Sequence, residues 1–487
     1  MADTKQSVLS NFIWKFAERC GNQLVQLLVS IVLARLLAPE AYGTISLVLV
    51  FANILQVFVD SGLGNALIQK KDADDLDFSS VFFFNLAMCL ALYAILFFCA
   101  PLIALFYENP SLTAITRVLC LTVVISGLKN VQQAYVSRTM QFRKFFFATL
   151  IGTTLSAVAG IGLAFYGFGV WALVAQRLVT ICVDTIVLWI IVKWHPKLMF
   201  SWKRLKGLIS FGWKLLVSAL LDVGYNNLRS LIIGKLYTEA DLGYYNQGNQ
   251  FPHVIVTNIN ASIDSILLPV MSREQEHKEQ VKNMTRRAIK TSVYLMAPLM
   301  MGLAFTAENV VSVVLTEKWL PCVPFLIIFC ITYMFYPIHT ANLNAMKAMG
   351  RSDLFLKLEI IKKVVGMILL LSSMWFGVMA IAYSLLVGSI CSQIINTWPN
   401  RKLLNYSYFD QLKDIAPSIL LAVIMGVCVK CLAWLPLPTI IILLMQVVWG
   451  ASIYIAGSII TKNDSFYYLW DIVKKFLVKG KQKGTAS

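Results

Sequence analysis

Four stretches of this chain set polar and charged residues at helical spacing inside otherwise apolar sequence. Lys15, Arg19, Asn22, Gln26 and Ser30 fall within one narrow arc when plotted at about 100° per residue. Lys214, Ser218, Asp222, Tyr225 and Arg229 do the same. Asn246, Gln250, His253, Thr257, Asn260 and Asp264 make a longer stripe, and Ser46, Asn53, Gln56 and Asp60 a shorter one. The residue types define the chemistry. Lys and Arg grip phosphate through charge-assisted hydrogen bonds, and amides, Tyr and Trp suit hydroxyl-rich sugars. A carboxyl group withdrawn from water holds a proton more readily, while a nearby Lys or Arg opposes that shift. Asp60, Asp222 and Asp264 are therefore candidates for coupling to an ion. His253 is a fourth, with a hydrogen-bonding structural role as its alternative.

These stripes must be positioned within a bilayer. The chain has 487 residues, 58% of them apolar and only 14% charged, with mean hydropathy +0.71. Apolar runs of twenty or more residues recur from Phe12 to Ile460, each long enough to cross a hydrocarbon core of ~30 Å as a helix. The alternating ten-residue segments of a membrane β-barrel do not occur. The expectation is an all-α polytopic membrane protein of about fourteen spans, at 12–36, 43–68, 80–106, 112–136, 146–166, 169–192, 208–236, 244–270, 291–315, 322–345, 358–376, 378–399, 415–434 and 439–460. The first run carries Lys15, Glu18 and Arg19, and no small-residue cleavage pattern follows, so it is expected to be retained.

The formal net charge of +17 is resolved by location. Alternate connections are short and nearly free of bases, Lys318 being the exception. The others are basic: Arg138, Arg143 and Lys144; Lys193, Lys197, Lys203, Arg204 and Lys206; Arg273 through Lys290; Lys347, Arg351 and Lys357; and the C-terminal lysines from Lys474 to Lys483. Bases concentrate on the cytoplasmic side of membrane proteins, which puts both termini there and removes the case for nucleic-acid binding. Cys428 and Cys431 form a CxxC on an apolar helix with no His or acid nearby, and packing is the better reading than metal or redox chemistry.

A repeat organises the chain. The joint ARLLAPEAYG (Ala34–Gly43) returns as GKLYTEADLG (Gly234–Gly243). Trp14-Lys15 precedes the first joint as Trp213-Lys214 precedes the second, and Asp60-Ser61 follows the first as Asp264-Ser265 follows the second. Six spans, an even number, separate the copies, so the halves share one orientation, a parallel repeat about an axis along the membrane normal. The expected architecture is two six-helix lobes around a central cleft plus two C-terminal helices. Its divisions are a tail at 1–11, an N-lobe at 12–192, a basic linker at 193–207, a C-lobe at 208–399, two further helices in 415–460 and a basic tail at 461–487.

Charges inside the spans lean basic: Lys15, Arg19, Lys129, Arg177, Lys214 and Arg229 against Asp60, Asp184, Asp222 and Asp264. Lys362, Lys363 and Lys430 lie nearer helix ends, where they can snorkel. A charge at mid-bilayer costs roughly 2.5–3.5 kcal/mol on insertion scales, so these groups must face one another or water. Polar glue between helices is the alternative for isolated amides. The candidate substrate contacts are Lys15, Arg19, Asn22, Gln26, Lys129, Arg177, Lys214, Tyr225, Arg229 and Asn260.

The joint ARLLAPEAYG, with Ala38 where Gly is frequent, resembles that of lipid-linked oligosaccharide flippases, the polysaccharide-transport branch of the multidrug/oligosaccharidyl-lipid/polysaccharide exporter superfamily. DSGLGNALIQ (Asp60–Gln69), LGYYNQGNQFP (Leu242–Pro252), LLPVMSR (Leu267–Arg273) and AMGRSDL (Ala348–Leu354) are similar to the same branch, closest to its colanic-acid and teichuronic-acid subgroup. The resemblance covers residues ~10–460. It implies a bacterial inner-membrane protein that moves undecaprenyl-diphosphate-linked oligosaccharide to the outer leaflet by alternating access, driven by an H⁺ or Na⁺ gradient, with membrane lipid and polysaccharide polymerases or assembly proteins as partners. It implies no enzyme, no metal and no cofactor. Alternatives are a cation-coupled drug antiporter or a peptidoglycan lipid-precursor flippase of the same superfamily. A membrane polysaccharide polymerase or ligase is a further alternative, although the tiny outer connections leave little room for its catalytic loop.

Overall fold

The computed structural model describes residues 21–60, 62–471 and 474. Every regular element among them is a helix. Eleven are long and apolar enough to cross a membrane, twelve when the bent pair Trp202–Ser210 and Gly212–Leu236 counts as one span. In chain order the α-helices through Ile460, some of them two to a span, are α1 (Gly21–Leu36), α2 (Pro39–Asp60), α3 (Leu63–Gln69), α4 (Asp75–Phe106), α5 (Ser111–Leu119), α6 (Leu121–Arg138), α7 (Phe142–Phe165), α8 (Val170–Ile191), α9 (Trp202–Leu236), α10 (Glu239–Arg273), α11 (Lys278–Phe305), α12 (Ala307–Val314), α13 (Val323–Met334), α14 (Tyr336–Ala348), α15 (Ser352–Ser373), α16 (Val378–Leu403), α17 (Tyr408–Cys431) and α18 (Thr439–Ile460). The expected count of fourteen differs at two places. Only the sixteen-residue end of the first expected span is described, as α1. α15 starts six residues before its expected range of 358–376 and ends three short of it at Ser373, and its charges at Lys357, Glu359, Lys362 and Lys363 keep it out of the apolar set.

Several expected spans are broken by identifiable residues. Gly62, at φ +73, separates α2 from α3, a left-handed conformation that favours glycine. Pro337, at the start of α14, sets it off from α13. The ninth span begins at Lys278 rather than 291. Its basic first half was expected as a connection, yet it buries Val281, Thr285 and Ile289 at every fourth position, a stripe that periodicity in the apolar half alone does not reveal.

The chain falls into two compact units, residues 1–243 and 244–487. In the first, Leu67, Phe78, Val81, Phe82, Val131, Leu188, Trp194 and Leu205 form a buried core. Trp194 stacks on Tyr135 and packs against Phe78, so two residues of the expected linker 193–207, Trp194 and Leu205, are core residues. Charges clamp the same end. Asp74 caps α4 in a reciprocal pair with Asp77 and binds Arg204 at 2.5 Å. Asp75 binds Lys197 at 2.5 Å, and the fully buried Asp77 binds Lys70 at 2.6 Å. Arg138 donates to the carbonyls of Leu67, Lys70 and Lys71, closing the end of α3.

In the second unit α11 packs against α13, α14 and α17, and α15 against α16. Small residues permit close approach where α17 meets α11 and α18: a Cβ on Gly426 would overlap the Phe305 ring, and one on Gly457 the Leu421 side chain. Phe98, Leu105, Ile190 and Ile460 are among the side chains left bare, as expected of helices solvated by acyl chains.

Candidate functional site

The two joints fold alike. α1 ends at Leu36 and α2 begins at Pro39; α9 ends at Leu236 and α10 begins at Glu239. Helix resumes after two residues, earlier than the expected 43 and 244. Proline, whose fixed φ suits a first helical turn, starts one. The other opens on a capping box in which the Asp241 N–H donates to Thr238 Oγ1 and the Thr238 N–H to Asp241 Oδ2. The joints also touch. A Cβ on Gly43 would overlap the Glu239 carbonyl, and one on Gly243 the Pro39 carbonyl. These contacts exchange under the 200-residue offset, so the repeat glycines mark a local two-fold contact at which backbone meets backbone.

Glu239, to which the sequence reading gave no role, ties this contact together. It accepts from Thr44 Oγ1 at 2.6 Å and from the Asn109 amide. Beside it Lys235 donates to the Phe106 carbonyl at 2.6 Å and pairs with Glu108 at 3.0 Å, capping the end of α4. The 200-residue offset puts Pro39 where the second copy has Glu239, so the acid has no counterpart in the repeat to mark it.

Lys15 and Arg19 lie outside the described residues. The other candidates in the first unit occupy separate local environments. Asn22 accepts from Thr153 Oγ1 at 2.7 Å and from Gln26 at 3.2 Å. Asp60 accepts from Gln56 at 3.2 Å and from Asn130 at 3.5 Å. Lys129 is ion-paired with Asp184 at 2.6 Å, both side chains about seven-eighths buried at 14% and 13% exposure. Sequence listed both charges without joining them. On α9, Asp222 accepts from Asn226 at 3.3 Å. Lys214 and Asp222 are exposed, Tyr225 is half-buried and Arg229 is buried, so the stripe runs from open to enclosed. The Arg229 guanidinium lies 5.9 Å from the centre of the Tyr225 ring, and its Nε has no hydrogen-bond partner. Among the described residues neither Arg229, Lys214 nor Arg177 has an acid within ion-pair distance.

In the second unit, His253 packs edge-on against Tyr333. Both amide atoms of Asn260 are buried without partners. Asp264 accepts from the fully buried Asn344 at 2.9 Å, and the Asn344 Oδ1 is unpartnered. A buried amide network lies deeper. Asn342 and Gln411 exchange hydrogen bonds of 2.9 and 3.0 Å, Asn400 donates to Asn342 Oδ1 at 2.7 Å, and Asn396 contacts His339 at 3.0 Å. Asn342 with Asn344, and Asn396 with Asn400, are the polar interruptions of their apolar spans that would have signalled it.

Known proteins are similar to this chain in sequence and in fold. The succinoglycan biosynthesis transport protein ExoT of Rhizobium meliloti is 25% identical over 314 residues, 64% of each chain. The teichuronic acid biosynthesis protein TuaB of Bacillus subtilis is 23% identical over 76% of this chain and 78% of its own. The fold is that of the lipid II flippase MurJ in an inward closed conformation, with a TM-score of 0.75 and 15% identity over 93% of this chain and 99% of that one. The family described as polysaccharide biosynthesis protein matches residues 32–324, more than half of the sequence, and the chain belongs to that family.

Proposed function

We propose that the protein is a flippase that carries polyprenyl-diphosphate-linked oligosaccharide from the cytoplasmic to the outer leaflet of a bacterial inner membrane, with both termini cytoplasmic. The observation that carries this reading is the set of intramembrane cations without acid partners among the described residues, Arg177, Lys214 and above all the buried Arg229 beside Tyr225. A buried guanidinium left unneutralised is costly, and a diphosphate with a hydroxyl-rich headgroup supplies the missing charge and hydrogen bonds. Family membership and the likeness to ExoT and TuaB support the same substrate class. The headgroup enters at the open end of the α9 stripe, at Lys214 with Lys15 and Arg19, and passes to Arg229, while the polyprenyl tail stays in lipid. Two lobes rocking about the bound headgroup give alternating access. No bond is made or broken. Asp60, Asp222 and Asp264 are the proposed ion-coupling carboxylates, and polysaccharide polymerases the proposed partners.

Reconstituted vesicles loaded with a fluorescent polyprenyl-diphosphate oligosaccharide test this. Arg229→Ala and Lys214→Ala should each slow translocation roughly ten-fold or more, as loss of a charge-assisted contact worth ~1.5–3 kcal/mol implies, while Lys318→Ala leaves it unchanged. Equal rates in all three would overturn the reading.

A further inference from the structure

The first half of α11 borders a cavity of about 680 Å³ that the transport reading does not use. Its other wall is the helix at 464–471 that follows α18, contributing Asp464, Ser465 and Tyr468. Arg286 lines it but is held from behind by two hydrogen bonds to Asp414, 2.7 and 2.6 Å long, with Tyr406 donating to the same carboxylate at 2.7 Å. Lys290 pairs with Asp464 at 3.0 Å, across an acid that is 83% exposed, and so exposed a partner is readily exchanged. Arg287 has no acid partner among the described residues; its guanidinium lies 4.6 Å from the centre of the Tyr468 ring. Asn283, Thr291 and Ser465 add neutral polar groups.

We propose that this cavity binds the phosphate headgroup of an anionic membrane lipid. The charge selects an anion: Arg287 is uncompensated, Lys290 is weakly compensated, and donors surround both. The height in the membrane selects a lipid. The cavity lies at the polar end of α11 and opens within a few residues of Ile460, the last residue of α18, which is itself 80% exposed. Tyr467 and Trp470 stand exposed on the same short helix, the aromatic pattern of a bilayer–water boundary. Basic pockets between helices at that level meet headgroups at a far higher local concentration than any soluble anion. The site is on residues distinct from the α9 stripe, and its assignment does not depend on which leaflet it faces.

The test uses the full chain in nanodiscs of mixed phosphatidylcholine and phosphatidylglycerol, with retained lipid counted by native mass spectrometry. Wild type and Lys402→Ala, an exposed base in the last turn of α16 that does not line the cavity, should hold phosphatidylglycerol selectively, and Arg287→Ala with Lys290→Ala should lose roughly ten-fold or more of that retention, since each base near a charged surface is worth a several-fold factor. Arg287→Gln, which keeps a polar hydrogen-bonding end and removes the charge, should lose part of it, and serves if the double variant fails to fold. Equal retention by wild type and Arg287→Gln, or equal retention of the two lipids, overturns the proposal. Displacement of phosphatidylglycerol by equimolar inorganic phosphate would make this a soluble-anion site. Displacement by polyprenyl diphosphate in preference to phosphatidylglycerol would make it a substrate subsite. Either result overturns the lipid assignment. The readout is lipid retention, so loss of translocation in vesicles leaves the result standing.

Discussion

Lys129 shows how a single residue changes meaning once its neighbour is known. Read alone inside α6 it is a cation seeking a ligand; in the fold it is neutralised by Asp184 of α8 at 2.6 Å. Removing one member of such an enclosed pair leaves an uncompensated charge, and replacing both with apolar residues of similar size can be nearly neutral. Lys129→Met should therefore destabilise the protein by about 3 kcal/mol, and Lys129→Met combined with Asp184→Leu should recover most of it, read by thermal unfolding in detergent. Translocation by the stable double variant separates the roles: normal transport makes the pair structural, and its loss returns Lys129 to the substrate path. Asp74 is a second residue-scale case, at the exposed end of α4. The Asp77 backbone N–H, then Arg204, hold its carboxyl down at about 2. A depressed carboxylate contributes stability above its ordinary titration range and loses it as pH falls through the folded value. The gap in unfolding temperature between wild type and Asp74→Asn should be constant from neutral pH to about 4 and close toward about 2. A gap that widened on acidification would show that the clamp is not electrostatic.

At the scale of elements, the repeat glycines explain why one joint is written twice. Backbone contact between the start of α2 and the start of α10 leaves no room for a side chain at Gly43 or Gly243. Gly43→Ala should cost about 1–3 kcal/mol through overpacking. Gly162→Ala in α7, where a Cβ meets nothing within 4 Å, should be neutral or stabilising by up to about 1 kcal/mol from helix propensity. Thermal unfolding of the two variants side by side checks both, and equal behaviour would remove the contact from the account. The joints were legible because glycine and proline punctuate sequence locally. The stripe of α9 was legible because helical period and polarity coincide there. The early start of α11 was not, because Lys278 to Lys290 reads as a charged connection until the helices packed on α11 are present and Val281, Thr285 and Ile289 are seen to be buried. The partnership of Lys129 with Asp184 was hidden for a related reason: helical period describes one helix, and pairing belongs to two. The enclosed amides around Asn342 fall between these cases, visible as interruptions but silent about what they touch.

For the whole molecule, topology turns on α15. It is 22 residues long, about 33 Å as an ideal helix and enough to cross a bilayer core. Its charges set it apart from the other spans. Lys362 pairs with Glu359 at 2.5 Å, side chains 14% and 30% exposed, so one cation is neutralised within a single turn. The remaining charges, Asp353, Lys357 and Lys363, include two near the start of the helix, where a side chain can reach the interface. Glycines bound it on both sides, Gly350 at φ +71 and Gly377 at φ +99. Chain reversals at these two points are what successive spans require. If α15 crosses, reporters inserted beside Gly350 and Gly377 lie on opposite sides of the membrane. Green fluorescent protein should then fluoresce beside Gly350 and alkaline phosphatase should be active beside Gly377, with fluorescent protein also bright after Ser487. Fluorescence beside both glycines, with phosphatase activity rather than fluorescence after Ser487, would mean that α15 stays on the cytoplasmic surface while the three later spans still cross. The positive-inside assignment of every later connection would then need the opposite parity, and the matched six-helix halves inferred from the 200-residue repeat could not both be complete.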